Sequence, residues 1–310
     1  MEPAGHDDRA EVNQAAQSDI VSRMSRTLIV RVSAVAIALG CAWIAYTQAP
    51  PQQGKQQAKQ PNNTISKVAD DLYAIIGDGG NSTVYVTNEG VILVDDKFEY
   101  DGQDIVDKIK SVTNQPIKYV LNTHLHGDHT GSNVMFLPTA EVIATKMARD
   151  NMVKNKAPGV MRVVFTDETD IYLGGKEVRM KYYGRGHTNG DAVVYFPALR
   201  ILASGDIGAN NGPNVDYANG GSMKEWGATL DGVLKLDFDT VIPGHGPVSK
   251  RQYLIDYRDV ATKIPATVST MMREGKSKDD IAKVFMTNGG LWVNPNVVNK
   301  LDQIMAELKN

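Results

Sequence analysis

From Thr64 onward the chain alternates short apolar runs with clusters of turn residues. Residues 64–69, 72–76, 82–86 and 91–94 carry Val, Ile, Leu and Tyr at strand-like spacing, separated by Gly77-Asp78-Gly79-Gly80 and Asn88-Glu89-Gly90. They predict hairpins or a meander within one sheet. The rhythm then lengthens to helix and strand in turn: a helix over 102–112, a strand at 119–121, a helix after Gly131, a strand at 142–144 and a helix from Lys146. A second β-rich stretch predicts strands at 163–165, 170–173, 178–183, 192–195 and 201–204. Ser222-Met223-Lys224-Glu225 reads as a capping box opening a helix to about Leu236, residues 240–242 as a last strand, and 250–310 as three helices that cover one side of the site. Two β-rich halves, each finished by helices, predict an α+β fold with two sheets face to face and helices outside.

The N-terminal part follows other rules. Residues 32–49 form a run of 18 residues without a charge, preceded by Arg23, Arg26 and Arg31. Its length lies between a signal-peptide core and a spanning helix, so residues 1–49 are read as a leader holding a signal peptide or a membrane anchor. The 31 residues ahead of the run include Asp7, Asp8, Glu11 and Asp19, a long and acidic head; translation from Met24 gives a shorter one. Basic residues before the run put the N-terminus inside and the rest outside. The expectation is an exported protein, periplasmic or membrane-anchored, touching the membrane through this segment if it stays uncleaved. Residues 50–63, with five Gln, three Pro and no large apolar side chain, read as a flexible linker to a catalytic domain at 64–310.

Charge is nearly balanced over the 310 residues, 33 basic against 36 acidic, which argues against nucleic acid as a partner and leaves a small molecule as the expected one. The single cysteine, Cys41, sits in the apolar run. The folded part therefore has no disulfide and no thiolate ligand, and any transition metal must be held by imidazole and carboxylate groups.

Five of the six histidines lie in three glycine-marked turns just past predicted strands. The first turn reads Thr123-His124-Leu125-His126-Gly127-Asp128-His129-Thr130-Gly131. In an extended or tight-turn segment alternate residues share a face, which groups His124, His126 and Asp128 and sends His129 to the other side, so one loop can serve two neighbouring metals. Four donors cannot complete two coordination spheres. The others stand in Gly186-His187-Thr188, Gly205-Asp206-Ile207 and Pro243-Gly244-His245-Gly246. His6, in the acidic leader, matches nothing.

On these motifs the sequence resembles the metallo-β-lactamase superfamily from about Val68 to Val248. The resemblance implies a four-layer αβ/βα sandwich with its site at one edge and two zinc ions, with iron or manganese as alternatives. It implies that His124, His126 and His187 hold the first metal, that Asp128, His129 and His245 hold the second, and that Asp206 bridges them. It also makes Asp95 a supporting residue behind the metal loop, although Lys97 stands where the family usually has Gly. The expected nucleophile is a hydroxide bridging the metals, with Asp128 as the catalytic residue that takes the proton of the attacking water. The bond expected to break is an ester, thioester, lactone or amide.

Two further activities stay in view. One is β-lactam hydrolysis, against which the seven-donor pattern weighs, because family branches with that activity carry a cysteine at the place of Asp206, lack a metal-binding carboxylate there, or depart at the first histidine. The other is iron-dependent oxygen or sulfur chemistry, for which diiron relatives usually replace the histidine at the His126 position. A non-catalytic scaffold is disfavoured because all seven donors are kept. Arg185, Asn210 and Tyr217 are candidate substrate contacts, Arg185 with a surface salt bridge as its equal alternative and the polar stretch 208–221 with a solvated turn as its own.

Overall fold

Each strand of the core sorts its apolar residues onto two faces. In the first sheet Ile92 and Val94 join one buried cluster while Val91 and Leu93 join another; in the second sheet Val194 and Phe196 face inward while Val193 and Tyr195 face outward. Period-two alternation with both faces apolar requires cover on both faces, and four layers result. The computed structural model describes residues 61–287 and 294–309, all within the compact unit Lys59–Asn310. The leader and most of the linker read from the sequence lie outside the described residues. Among the described residues no helix is long and apolar enough to cross a membrane.

The first sheet begins with an antiparallel meander, β1 (Thr64–Ala69), β2 (Leu72–Ile76), β3 (Ser82–Val86) and β4 (Val91–Val94). It continues in parallel through β5 (Ile117–Leu121), β6 (Glu141–Thr145) and β7 (Val163–Phe165), seven strands in chain order. The second sheet runs β8 (Glu168–Leu173), β9 (Lys176–Tyr182), β10 (Ala192–Phe196) and β11 (Ile201–Gly205), antiparallel throughout. It closes with β12 (Thr240–Pro243) parallel to β11 and the short β13 (Ser249–Lys250) at the edge. The sequence therefore missed one strand after 240–242, a two-residue pairing too short to leave a pattern.

Helices follow the expected order. α1 (Gly102–Lys110), α2 (Gly127–Thr130), α3 (Asn133–Phe136) and α4 (Lys146–Lys154) accompany the first sheet, where Ile105, Ile109, Phe136, Ala148 and Met152 pack on its outer face. α5 (Met223–Val233) and the 23-residue α6 (Arg251–Arg273) cover the second sheet through Trp226, Leu230, Leu254, Tyr257 and Ile264. α7 (Lys278–Thr287), α8 (Pro295–Asn299) and α9 (Leu301–Lys309) pack beyond them, so among the described residues the C-terminal region has four helices rather than three.

The expected capping box is only half formed. Ser222 Oγ accepts the Glu225 amide at 3.0 Å, but the Glu225 carboxylate pairs with Arg185 instead of returning to the backbone. The carboxylate of Glu307, from α9, takes the amides of Met223 and Lys224 at 3.1 and 3.3 Å. The first turn of α5 thus keeps its free N–H groups satisfied by a residue far along the chain.

Candidate metal centre

Strand ends bring the seven donors together. Asp95 follows β4, the His124 loop follows β5, Asp206 follows β11 and His245 lies two residues past β12, so parallel neighbours in each sheet deliver their carboxyl ends to one edge. His187 joins them from the β9–β10 connection. The backbone explains why adjacent residues of the His124 loop can all contribute. Alternation stops at His126, which has extended backbone at the N-cap of α2, and Gly127–Thr130 turns helically. Asp128 and His129 are thereby swung toward the same group with His245, not to opposite sides as an extended reading requires.

Donor atoms form three overlapping groups, each with its atoms within 4.8 Å of one another: His124, His126 and His187; His124, His129 and Asp206; Asp128, His129 and His245. In the first, His126 Nδ1 lies 3.1 Å from His124 Nε2 and 2.8 Å from His187 Nε2. In the last, His245 Nε2 is 3.2 Å from Asp128 Oδ2. Asp206 stands between them, with Oδ1 3.3 Å from His129 Nε2 and Oδ2 3.6 Å from His187 Nε2.

Two atoms at the heart of this arrangement, His129 Nε2 and Asp206 Oδ1, are buried and face each other at 3.3 Å without a well-formed hydrogen bond. A buried donor or acceptor left unmade costs about 1–3 kcal/mol, and a cation between imidazole and carboxylate satisfies both. The residues fit a metal centre of nitrogen and oxygen ligands. His124 and His129 are fully buried, whereas the side chains of His126 and His245 are 29% and 28% exposed, so the centre opens to solvent on one side.

The polar surroundings fix ring orientation. Asp95 Oδ2 lies 2.7 Å from His129 Nδ1 and also accepts the Thr123 hydroxyl at 2.8 Å, while its Oδ1 accepts the Thr123 amide. His187 Nδ1 donates to Asn214 O at 2.5 Å, and His126 Nε2 meets Asp216 Oδ2 at 2.9 Å. Each of these three imidazoles therefore aims its other nitrogen inward, the arrangement that sets a ligand's tautomer and basicity.

Charge follows from the same contacts. Burial lowers the pKa of His124 and His187. Burial also opposes a proton on His129, yet Asp95 and Asp206 overcome it and hold the pKa well above the ordinary imidazole range. His245 is likewise opposed by burial and raised to about 9 by the neighbouring carboxylates of Asp128 and Asp206. Asp128 is brought down to about 2 against the burial that favours its neutral form, chiefly by His245. Protons and divalent cations thus compete for the same atoms.

Glycines give the turns their closeness. A Cβ on Gly80 would lie 2.3 Å from His129 Cε1, and one on Gly244 2.0 Å from Asp206 Oδ1. Asn81 fastens the turn that holds Gly80 to the His245 turn, through its amide to Gly244 O at 2.6 Å and its side chain to Pro243 O and Gly246 O at 2.8 and 2.7 Å.

Lys97, noted in the sequence as a departure, adopts the left-handed φ of +60° that a glycine would take without cost. Its side chain is fully buried, and Nζ donates to Asp78 O and Gly80 O at 2.9 and 2.6 Å, holding the same turn from beneath. Burial lowers its pKa to about 8.

Of the candidate substrate contacts, Arg185 lies at the surface in its ion pair with Glu225, and Tyr217 donates its hydroxyl to Glu307 at 2.7 Å. Asn210 packs beside Gly246, next to the His245 turn, with its amide on His245 O at 3.0 Å. Asn81 and Glu307 were not singled out from the sequence, and Asp216 entered only as one polar residue of the stretch 208–221, with no role toward a histidine. Its place was readable in more detail: Asp216-Tyr217-Ala218-Asn219-Gly220 is an Asx turn signal, and the Asp216 Oδ1 accepts the amides of Ala218 and Asn219.

Comparison with known proteins agrees with this geometry. The family model of the metallo-beta-lactamase superfamily matches residues 75–245. Over 173 residues the chain is 28% identical to metallo-beta-lactamase IND-1 of Chryseobacterium indologenes, spanning 53% of this chain and 71% of that one. It is 25% identical over 190 residues to the metallo-beta-lactamase type 2 of Bacillus cereus, spanning 58% and 72%. It is 26% identical over 175 residues to the 2,4-dinitroanisole O-demethylase subunit alpha of Nocardioides sp. (strain JS1661), spanning 55% and 53%. Among solved structures, a metallo-beta-lactamase from Pontibacter korlensis shares the fold, with TM-score 0.59 and 21% identity over 64% of this chain and 99% of that chain.

Proposed function

The chain belongs to the metallo-beta-lactamase superfamily and is a hydrolytic enzyme, and from that premise we propose that it is a dinuclear zinc hydrolase cleaving an ester, thioester, lactone or amide bond. The observation that carries this reading is the convergence of seven nitrogen and oxygen donors around the unsatisfied His129 Nε2 and Asp206 Oδ1. His124, His126 and His187 would hold one ion and Asp128, His129 and His245 the other. Asp206, with one oxygen toward each group, would bridge them. When bound, such ions supply Lewis acidity, lowering the pKa of water toward neutrality and offsetting negative charge on a carbonyl oxygen.

The chain's own residues do the remainder. Asp128, ionised at neutral pH and 23% exposed, is the acceptor for the proton of the attacking water. Asp95 and Asp216 hold His129 and His126 in place. No serine or cysteine nucleophile is needed.

The bond cleaved is a choice among family chemistries, because the fold hosts many. A second reading, β-lactam hydrolysis, is favoured by the names of two relatives. The name of a third relative adds an aryl methyl ether to the compounds worth trying. The test is turnover by zinc-loaded protein of a thioester, a lactone, a carboxylic ester, a reporter cephalosporin and 2,4-dinitroanisole. Hydrolysis of one of the first three, abolished by a chelator, supports the primary reading. Turnover of the cephalosporin alone replaces it with the second. The apolar run at residues 32–49 supports an exported enzyme, checked by finding the full chain in the periplasmic or membrane fraction.

A further inference from the structure

The loop between Asp206 and α5 is bonded on its inner side to two histidines of one donor group. Asn214 O receives His187 Nδ1, Asp216 Oδ2 meets His126 Nε2 at 2.9 Å, and the Asp216 amide donates back to His187 O at 2.8 Å. On its outer side the same loop is held by the C-terminal helices. Asn294, 1% exposed, donates Nδ2 to Pro213 O at 3.1 Å at one end of the loop. At the other end Glu307 accepts four donors: the hydroxyls of Tyr217 at 2.7 Å and Ser222 at 2.5 Å, and the amides of Met223 and Lys224. Asn294 and Glu307 both lie outside the family match at residues 75–245.

We propose that the C-terminal segment is a clamp on the metal centre, with Glu307 and Asn294 as positioning residues that hold the loop from Pro213 to Ser222 so that Asp216 and Asn214 orient His126 and His187. The proposal rests on the reading of these histidines as metal ligands. Glu307 suits the task because all four groups facing it are donors and a carboxylate only accepts. A glutamine of the same size turns an amide N–H toward them and loosens the loop without opening a cavity. A role confined to capping α5 predicts something else, a lower melting temperature with unchanged metal binding.

The experiment uses the full chain as parent, Glu307→Gln, Asp216→Asn and the double variant. Zinc affinity is measured by competition with a chromogenic chelator, and melting is followed in the chelated protein. Loss of a group that orients a metal-bound imidazole commonly weakens metal binding 10- to 100-fold. The expected result is about a 10-fold loss at one of two zinc sites in each single variant, with the double variant losing clearly less than the product of the single losses, because part of the Glu307 effect passes through Asp216. Parent-like affinity in Glu307→Gln, or losses that multiply in the double variant, would overturn the clamp. If Glu307→Gln does not fold, Tyr217→Phe and Asn294→Ala each remove one clamp bond. Weakened zinc binding in both supports the clamp, and parent-like binding in both overturns it. A parent that binds no zinc overturns the metal reading itself, an outcome distinct from any failure of the clamp alone.

Discussion

Asp95 and Lys97 stand two places apart in left-handed backbone, φ +56° and +60°, and both act on the centre from behind. Asp95→Asn keeps the shape and the bond to the Thr123 amide but removes the charge facing His129. A 10- to 100-fold loss of affinity at one of two zinc sites is expected by chelator competition, with the helical circular dichroism unchanged. For Lys97 the sign follows from burial. Its pKa falls from 10.5 unfolded to about 8 folded, so the folded state releases its proton first as pH rises. Stability linked to this group is present above pH 10.5 and is lost as pH falls from 10.5 toward 8, by up to about 3 kcal/mol. Denaturant melts of the parent and Lys97→Met between pH 8 and 10 check it: the parent should gain stability relative to the variant as pH rises. At this scale the grouping of these seven side chains was legible because all of them stand in glycine-marked turns just past strands. The part played by Lys97 was not, because its partners are backbone carbonyls of another turn.

At the scale of elements, the turns matter more than the strands they join. Gly80 and Gly244 each occupy a place where a methyl group would strike a donor. Gly80→Ala should displace His129, and Gly244→Ala should displace Asp206. Each is expected to lower bound zinc from two to one or none per chain by elemental analysis, while the circular dichroism of the sheets stays close to the parent's. By contrast Arg185→Ala breaks only an exposed pair with Glu225, and its cost should be below about 1 kcal/mol. Strand boundaries were readable to within a few residues because apolar alternation and glycine turns coincide. The number of helices after residue 250 was not: the five residues of α8 are too few to show a period of their own and run almost directly into α9. The return bond of the capping box also went elsewhere, since a nearby arginine outcompetes the helix backbone for Glu225.

For the whole molecule, the sandwich places its His and Asp cluster at one edge and stacks its C-terminal helices against the second sheet. Leu301 and Ile304 of α9 are fully buried in that layer. Leu301→Ala should destabilise the protein by about 2–5 kcal/mol, read as a fall in denaturant midpoint. The two-sheet architecture was legible because both halves repeat the same β-rich rhythm. The link between the C-terminal helices and the centre was not, because it joins Glu307 to Tyr217 and Ser222 across 85 residues or more, and no local pattern records such a bond.

The central claim is that seven side chains from four segments build a centre for two ions. The direct measurement is a zinc titration of chelator-stripped protein by calorimetry, repeated on His126→Ala. Two ions per chain in the parent and one tight ion in the variant is the predicted result. Stoichiometry of one or none in a folded parent, or an unchanged two in the variant, would contradict it.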